Sequence, residues 1–108
     1  MAGVKLIVQY PRPKDIEKFE KVYQNEHVPM AVAKLAGKTK IVASRVMGSP
    51  QGSPALYRIA EIHFPSMQAL EACAASEGGQ QTLANAVSIS SGGPPILLIA
   101  EEETFKFS

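Results

Sequence analysis

A chain of 108 residues, 45% hydrophobic and 19% charged, has the make-up of one ordinary globular domain, 1–108, and 11 basic against 10 acidic residues leave a net charge of +1. That balance offers no long-range attraction to nucleic acid or to an anionic membrane, so neither is expected as a partner. The single cysteine, Cys73, excludes an intrachain disulfide and a CxxC metal site, and with no secretory leader pattern and no apolar run near the ~20 residues of a membrane span, the expected location is cytoplasmic.

Val4 to Tyr10 (VKLIVQY) is rich in β-branched residues and runs into Pro11 and Pro13, which predicts a strand and then a turn. Asp15 to Met30 (DIEKFEKVYQNEHVPM) follows, with the strongest periodicity of the chain. Ile16, Phe19, Tyr23 and His27 share an arc of roughly 80° at helical spacing, while Glu17, Lys18 and Lys21 fall outside it. The Tyr23 and His27 heads are therefore expected to point inward with the apolar residues. Asp15 is placed to cap this helix. Pro29 lacks an N–H and its ring opposes the carbonyl four residues back, so a kink or break is expected near Val28, with helix resuming from Met30 to Ala36 and stopping at Gly37.

Lys40 to Met47 and Ala55 to Phe64 read as a second and third strand, antiparallel across the Gly/Ser/Pro loop 48–54. Ser66 can cap a helix from Met67 to Ala75, Ser76-Glu77-Gly78-Gly79 is expected to interrupt it, and Gln80 to Val87 adds a short further stretch. Gly92-Gly93-Pro94-Pro95 then leads into a final strand, Ile96 to Glu101. The order strand, helix, strand, strand, helix, strand is that of a ferredoxin-like α+β fold, βαββαβ, with a four-stranded antiparallel sheet and its helices on one face.

Alternation along the third strand puts Leu56, Arg58, Ala60, Ile62 and Phe64 on one face, expected under the helices, and Tyr57, Ile59, Glu61 and His63 on the other. The second set, with Ile7 of the first strand, would expose an apolar patch unless a second subunit covers it, and a domain this small gains from such cover. A homodimer is the expectation. Phe105 and Phe107 alternate with polar residues in the tail and are expected to pack on that partner, with Glu101 to Glu103 at a solvated rim.

The segment Tyr23-Gln-Asn-Glu-His27-Val-Pro29-Met30 resembles the Tyr-xxx-His-x-Pro segment of the EthD family. Phe64-Pro-Ser-Met-Gln-Ala-Leu70 is similar to that family's strand-to-helix passage, and Ser76-Glu77-Gly78 to its helix break. Asn85 and Ile89 depart from the acidic residue and aromatic often found there. The resemblance implies a dimeric α+β barrel that receives a small, largely apolar metabolite of the ether, aromatic or polyketide-like kind, acting as an oxidoreductase-related or proton-transfer enzyme, or as an accessory binding module.

No nucleotide loop, haem-attachment cysteine or paired-carboxylate metal site is legible, so the site is expected to work without cofactor or metal. His27 is the candidate acid or base, since imidazole titrates nearest neutrality, and Tyr23 one turn away could orient a substrate oxygen. The plainer alternative makes His27 a structural histidine bonding a carbonyl freed by Pro29, and Tyr23 a core aromatic. Phe19, Met30, Tyr57 and Glu61 are the candidate substrate contacts, with Glu61 needing a partner such as Lys5 or Arg45 if buried. His63, at a strand end, reads as a surface or interface residue.

Overall fold

The computed structural model describes residues 3–108. Four strands, β1 (Val4–Pro11), β2 (Lys40–Arg45), β3 (Leu56–Phe64) and β4 (Ile96–Glu101), form one sheet in the order β2-β3-β1-β4 with every neighbouring pair antiparallel. Four α-helices, α1 (Ile16–Val22), α2 (Val28–Lys34), α3 (Met67–Ala75) and α4 (Glu77–Ile89), complete the ferredoxin-like plan. The core lies between helices and sheet, built from Val8, Tyr10, Ala60, Ile62 and Phe64 below and Phe19, Tyr23, Ala31, Leu70 and Ala86 above. None of the described helices is long and apolar enough to cross a membrane.

The caps read from sequence are present. The Asp15 carboxylate accepts from the Lys18 N–H at 3.1 Å and the Ser66 hydroxyl from the Ala69 N–H at 3.1 Å, each satisfying a first-turn donor that has no partner within the helix. At the far end of α2, Lys38 donates through Nζ to the carbonyls of Val32 and Leu35, both at 2.8 Å, and Gly37 takes the turn at φ +85°.

Three expectations are corrected. First, Pro29 does not break the helix. The chain passes from α1 through a π-helical turn, Tyr23–His27, straight into α2, with the Val28 N–H reaching back five residues to the Tyr23 carbonyl. A wider turn moves the ladder off the carbonyl that a proline ring would strike, so the helix continues.

Second, Ser76 to Gly79 is not a gap before a short stretch; α4 begins at Glu77 and runs 13 residues, with both glycines inside it. A Cβ on Gly78 would stand 2.4 Å from the Lys34 carbonyl oxygen, and one on Gly79 2.0 Å from that of Cys73. These glycines are contact points where α4 touches the ends of α2 and α3. Ser76 joins α3 to α4, donating to the Cys73 carbonyl at 2.6 Å and accepting from the Gly79 N–H at 3.0 Å.

Third, Tyr57 is not on the open face. Tyr10 faces Arg58 and Pro11 faces Leu56, so Tyr57 is the extra residue of a bulge, and its ring meets that of Phe19 in α1 at 5.8 Å. Strict alternation fails there because a bulge lets two successive side chains share a face.

The open face carries Lys5, Ile7 and Gln9 of β1 beside His63, Glu61 and Ile59 of β3 and Ala100, Leu98 and Ile96 of β4. Lys5 bridges Glu61 at 2.5 Å and Glu102 at 3.2 Å, so Glu61 has one of the partners expected for it. Glu102, between the exposed Glu101 and Glu103, is tied to the sheet through Lys5, and its backbone N–H donates to the Gly3 carbonyl at 2.9 Å. The edge strand β4 leaves Ile96, Leu97, Leu98 and Ile99 exposed, and Phe105 and Phe107 extend beyond it almost bare.

Candidate functional site

The inward side of β1 alternates Leu6, Val8 and Tyr10, and the last of these carries a polar head into the core. Tyr10 is completely buried, Tyr23 is 1% exposed and His27 7%. The π turn presents Tyr23 and His27 together over β1. Their rings stack at 5.8 Å, and Phe19 continues the stack at 5.5 Å from Tyr23. Tyr10 meets all three edge-on, at 5.4 Å from Phe19, 5.6 Å from Tyr23 and 6.1 Å from His27.

A hydrogen-bonded chain crosses this cluster. His27 Nδ1 lies 2.8 Å from Asn85 Oδ1 of α4, and Nε2 lies 3.1 Å from the Tyr10 hydroxyl. A carboxamide oxygen only accepts, so Nδ1 carries the proton and donates it to Asn85; Nε2 is then the acceptor of the Tyr10 O–H. Burial lowers the pKa of His27, partly countered by the Asn85 bond. The imidazole is thus neutral at neutral pH, with its tautomer set from both sides. Burial, more than the nearby Tyr23, pushes the Tyr10 phenol well above its ordinary value, so it stays protonated and donates.

Behind Tyr23 stands Arg58, its guanidinium 4.8 Å from the ring centroid and paired in two hydrogen bonds with Glu20 of α1 at 2.6 and 3.2 Å. The ion pair pins α1 to β3 and keeps the cation from facing the ligand space. Burial raises the Tyr23 pKa, the Arg58 charge opposing it.

Tyr10, Tyr23 and His27 form the polar part of the wall of a cavity of about 80 Å³ between helices and sheet, whose other walls include Val8, Val28, Ala60 and Ala86. Thr82 also lines it, its hydroxyl donating to the Gly78 carbonyl at 2.7 Å. No sealed side-chain polar atom among the described residues is left unpaired. Tyr23 lines the cavity, and its hydroxyl makes no hydrogen bond to the described residues.

Of the six residues singled out from sequence, Tyr23 and His27 come together on this wall. Phe19 and Tyr57 are buried one and two rings behind, as packing for Tyr23. Met30 and Glu61 are not at the cavity: Met30 is half-buried while its neighbour Ala31 lines the wall, and Glu61 lies on the opposite face of the sheet with Lys5. His63, expected at a surface or interface, lies on the open face, buried there with Nδ1 3.8 Å from Glu102. The bond partners of His27 are side chains, Tyr10 and Asn85, in place of the backbone carbonyl considered for it. Among the described residues no group of three His, Cys, Asp or Glu is gathered as a metal site.

Sequence reasoning missed Tyr10, and it noted Asn85 only as a departure from the acidic residue often found there in the family. The signal was available: Tyr10 ends the inward row of β1, and Asn85 falls with Thr82 and Ile89 on one stripe of α4. What hid it is that two helical positions 58 residues apart, His27 and Asn85, meet only through the fold.

Comparison with known proteins agrees with this reading of the fold. The EthD domain model matches residues 12–87. A crystal structure of an EthD family protein from Bacillus halodurans superposes with a TM-score of 0.86 at 29% identity, covering 94% of this chain and 99% of that one. An uncharacterised 11.0 kDa protein from the thcB–thcC intergenic region of Rhodococcus erythropolis is 26% identical over 98 residues, 91% of this chain and 94% of that protein. A dimeric ferredoxin-like protein of unknown function from Jannaschia sp. CCS1 shares the fold, with a TM-score of 0.66 at 15% identity over 93% of this chain and 100% of the other. With the family model spanning the first helix to the end of α4, the chain belongs to the EthD family.

Proposed function

We propose that this protein takes a small, largely apolar metabolite into the cavity between helices and sheet, without cofactor, and that His27 moves a proton for it or anchors its oxygen. The carrying observation is the Tyr10–His27–Asn85 chain, which brings Tyr10 and His27 onto a wall that is apolar apart from them, Tyr23 and Thr82. Few convergent polar groups and a perturbed titratable residue on an apolar wall are general marks of a ligand site, and at about 80 Å³ this cavity alone takes only a small ligand. The His27 imidazole is unprotonated at neutral pH and so can accept a proton. With Tyr10 donating to Nε2, an acidic ligand proton passes to the Tyr10 oxygen as Tyr10 gives its own to His27. The charge then developing on imidazole is steadied by the Nδ1–H bond to Asn85.

A second reading has a specific observation in its favour. Both ring nitrogens are already taken by protein, which suits a fixed wall of a carrier or accessory module as well as it suits a base. The two readings separate on His27→Gln, which keeps polar contacts but cannot titrate. With a panel of small ethers, ketones and phenols, binding followed by calorimetry and conversion by mass spectrometry, the enzyme reading expects conversion to fall by about 10² to 10⁴ with binding largely kept. Binding without conversion in the wild type, lost in the variant, leaves the carrier. A panel that neither binds nor converts, with the fold intact, counts against both.

The assembly belongs to the same proposal. The open face, with half-buried Ile7 and Ile59 and exposed Leu98, suits a second copy of the chain, sheet to sheet, in a cytoplasmic homodimer. The described dimer of a protein with this fold supports it.

A further inference from the structure

Next to the polar cavity lies a second recess of about 280 Å³, and the two share Leu6, Leu35, Ile62, Gly79 and Leu83 as common wall. The recess runs on past Phe64, Leu70 and Cys73 to Leu97 and Ile99 of the edge strand, and no charged side chain lines either space. We infer that the two recesses form one binding channel for an uncharged, elongated molecule: an oxygen-bearing head at the Tyr23 hydroxyl and His27, and an apolar tail along the recess toward Cys73 and β4. The inference rests on the proposed reading of the cavity and names the ligand class it takes.

Size supports two compartments. The polar cavity, about 80 Å³, is smaller than the roughly 150 Å³ cavity known to admit one benzene ring. A ligand that reaches the Tyr23 hydroxyl therefore extends into the larger recess if it has more than a few carbons. Polarity supports the head's position: the Tyr23 hydroxyl has no protein partner among the described residues, is almost wholly buried, and offers one donor and one acceptor to an oxygen. Charge supports neutrality. Arg58, the nearest guanidinium, is committed to Glu20, so a carboxylate head would be buried without a counter-ion. The tail end meets Leu97 and Ile99, which the described residues leave exposed, so the recess has a mouth along β4.

The test uses straight-chain methyl ketones from pentanone to undecanone on the full chain. Affinity, measured by calorimetry, is expected to tighten roughly fourfold per added methylene until the recess is full. Undecanoate is expected to bind at least tenfold more weakly than undecanone. Cys73 is the chain's only thiol and sits at 5% exposure on the recess wall, so it reports on the tail. At equal saturation undecanone should slow its reaction with N-ethylmaleimide tenfold or more, while pentanone leaves it nearly unchanged. Ala74→Phe, at an exposed helix position that borders the recess, should end the gain at a shorter chain and leave pentanone binding as it was. Affinity independent of chain length, or equal protection of Cys73 by both ketones, overturns the channel while leaving the polar cavity as a ligand site. If no ketone of any length binds and His27→Gln changes nothing in the wider panel, the cavity reading itself falls.

Discussion

His27 owes its state to two neighbours, and each can be changed singly. Tyr10→Phe removes the O–H that Nε2 accepts and leaves a buried acceptor unmatched, at a cost of about 1–3 kcal/mol, to be read by denaturant unfolding. Because that hydrogen bond favours the neutral ring, the His27 pKa should rise in the variant. Asn85→Asp should raise it further, since a carboxylate on Nδ1–H favours the imidazolium against the burial that now lowers the pKa. Proton NMR titration of the imidazole checks both directions. The sign for stability follows from the same shift. His27 titrates lower when folded than its unfolded value of about 6.5, so its contribution is complete above that value and is lost as pH falls through the folded pKa. Thermal melts of wild type and His27→Gln between pH 7 and 5 should show the steeper loss in the wild type; equal slopes would mean the ring is not held neutral.

Among the elements, the π turn and the α3–α4 junction do the positioning. The turn holds Tyr23 and His27 over Tyr10, and the glycines at the start of α4 let that helix approach closely, with Thr82 at the cavity and Asn85 at His27. Gly→Ala in an open helix stabilises by about 0.5–1 kcal/mol. Gly79→Ala is expected to do the reverse, losing about 1–3 kcal/mol or more in chemical denaturation, because its Cβ would collide with the Cys73 carbonyl, a backbone atom that cannot swing away. A neutral or stabilising result would show that α4 can lift off α3. These two elements also mark where the sequence stops being legible. Alternation and periodicity place all four strands, the inward arc of α1 and the Ser66 cap, since those depend on neighbours along the chain. A proline absorbed by a wider turn and a glycine used for close approach carry the same letters as a proline that breaks and a glycine that ends. Tyr57 shows the same limit, because a bulge depends on the partner strand's register.

At the scale of the molecule, the sheet has an apolar helix side and an open side that mixes Ile7, Ile59 and Leu98 with Lys5, Glu61 and His63. We propose the helix side for the ligand channel and the open side for a second copy. Ile59→Arg would bury one unpaired charge per subunit and should divide the dimer, with light scattering moving from twice to once the 11.6 kDa chain mass; an intact dimer would place the interface elsewhere. Removing the residues after Thr104 should weaken association if Phe105 and Phe107, 75% and 92% exposed on the single chain, pack on the partner, and unchanged dimer affinity would show that they do not. The inward phase of Tyr23 and His27 was legible along the chain; that Tyr10 and Asn85 are the bonding partners of His27 was not, since their meeting is a product of the whole fold.

The most direct measurement of the central claim is the nitrogen-15 spectrum of the His27 imidazole across pH, without ligand and with saturating undecanone. The expected result is a neutral ring protonated on Nδ1, titrating below the ordinary value of about 6.5, with the Nε2 resonance shifted when the ketone binds beside it. A ring protonated on Nε2, or one titrating at or above the ordinary value and indifferent to the ketone, would contradict it.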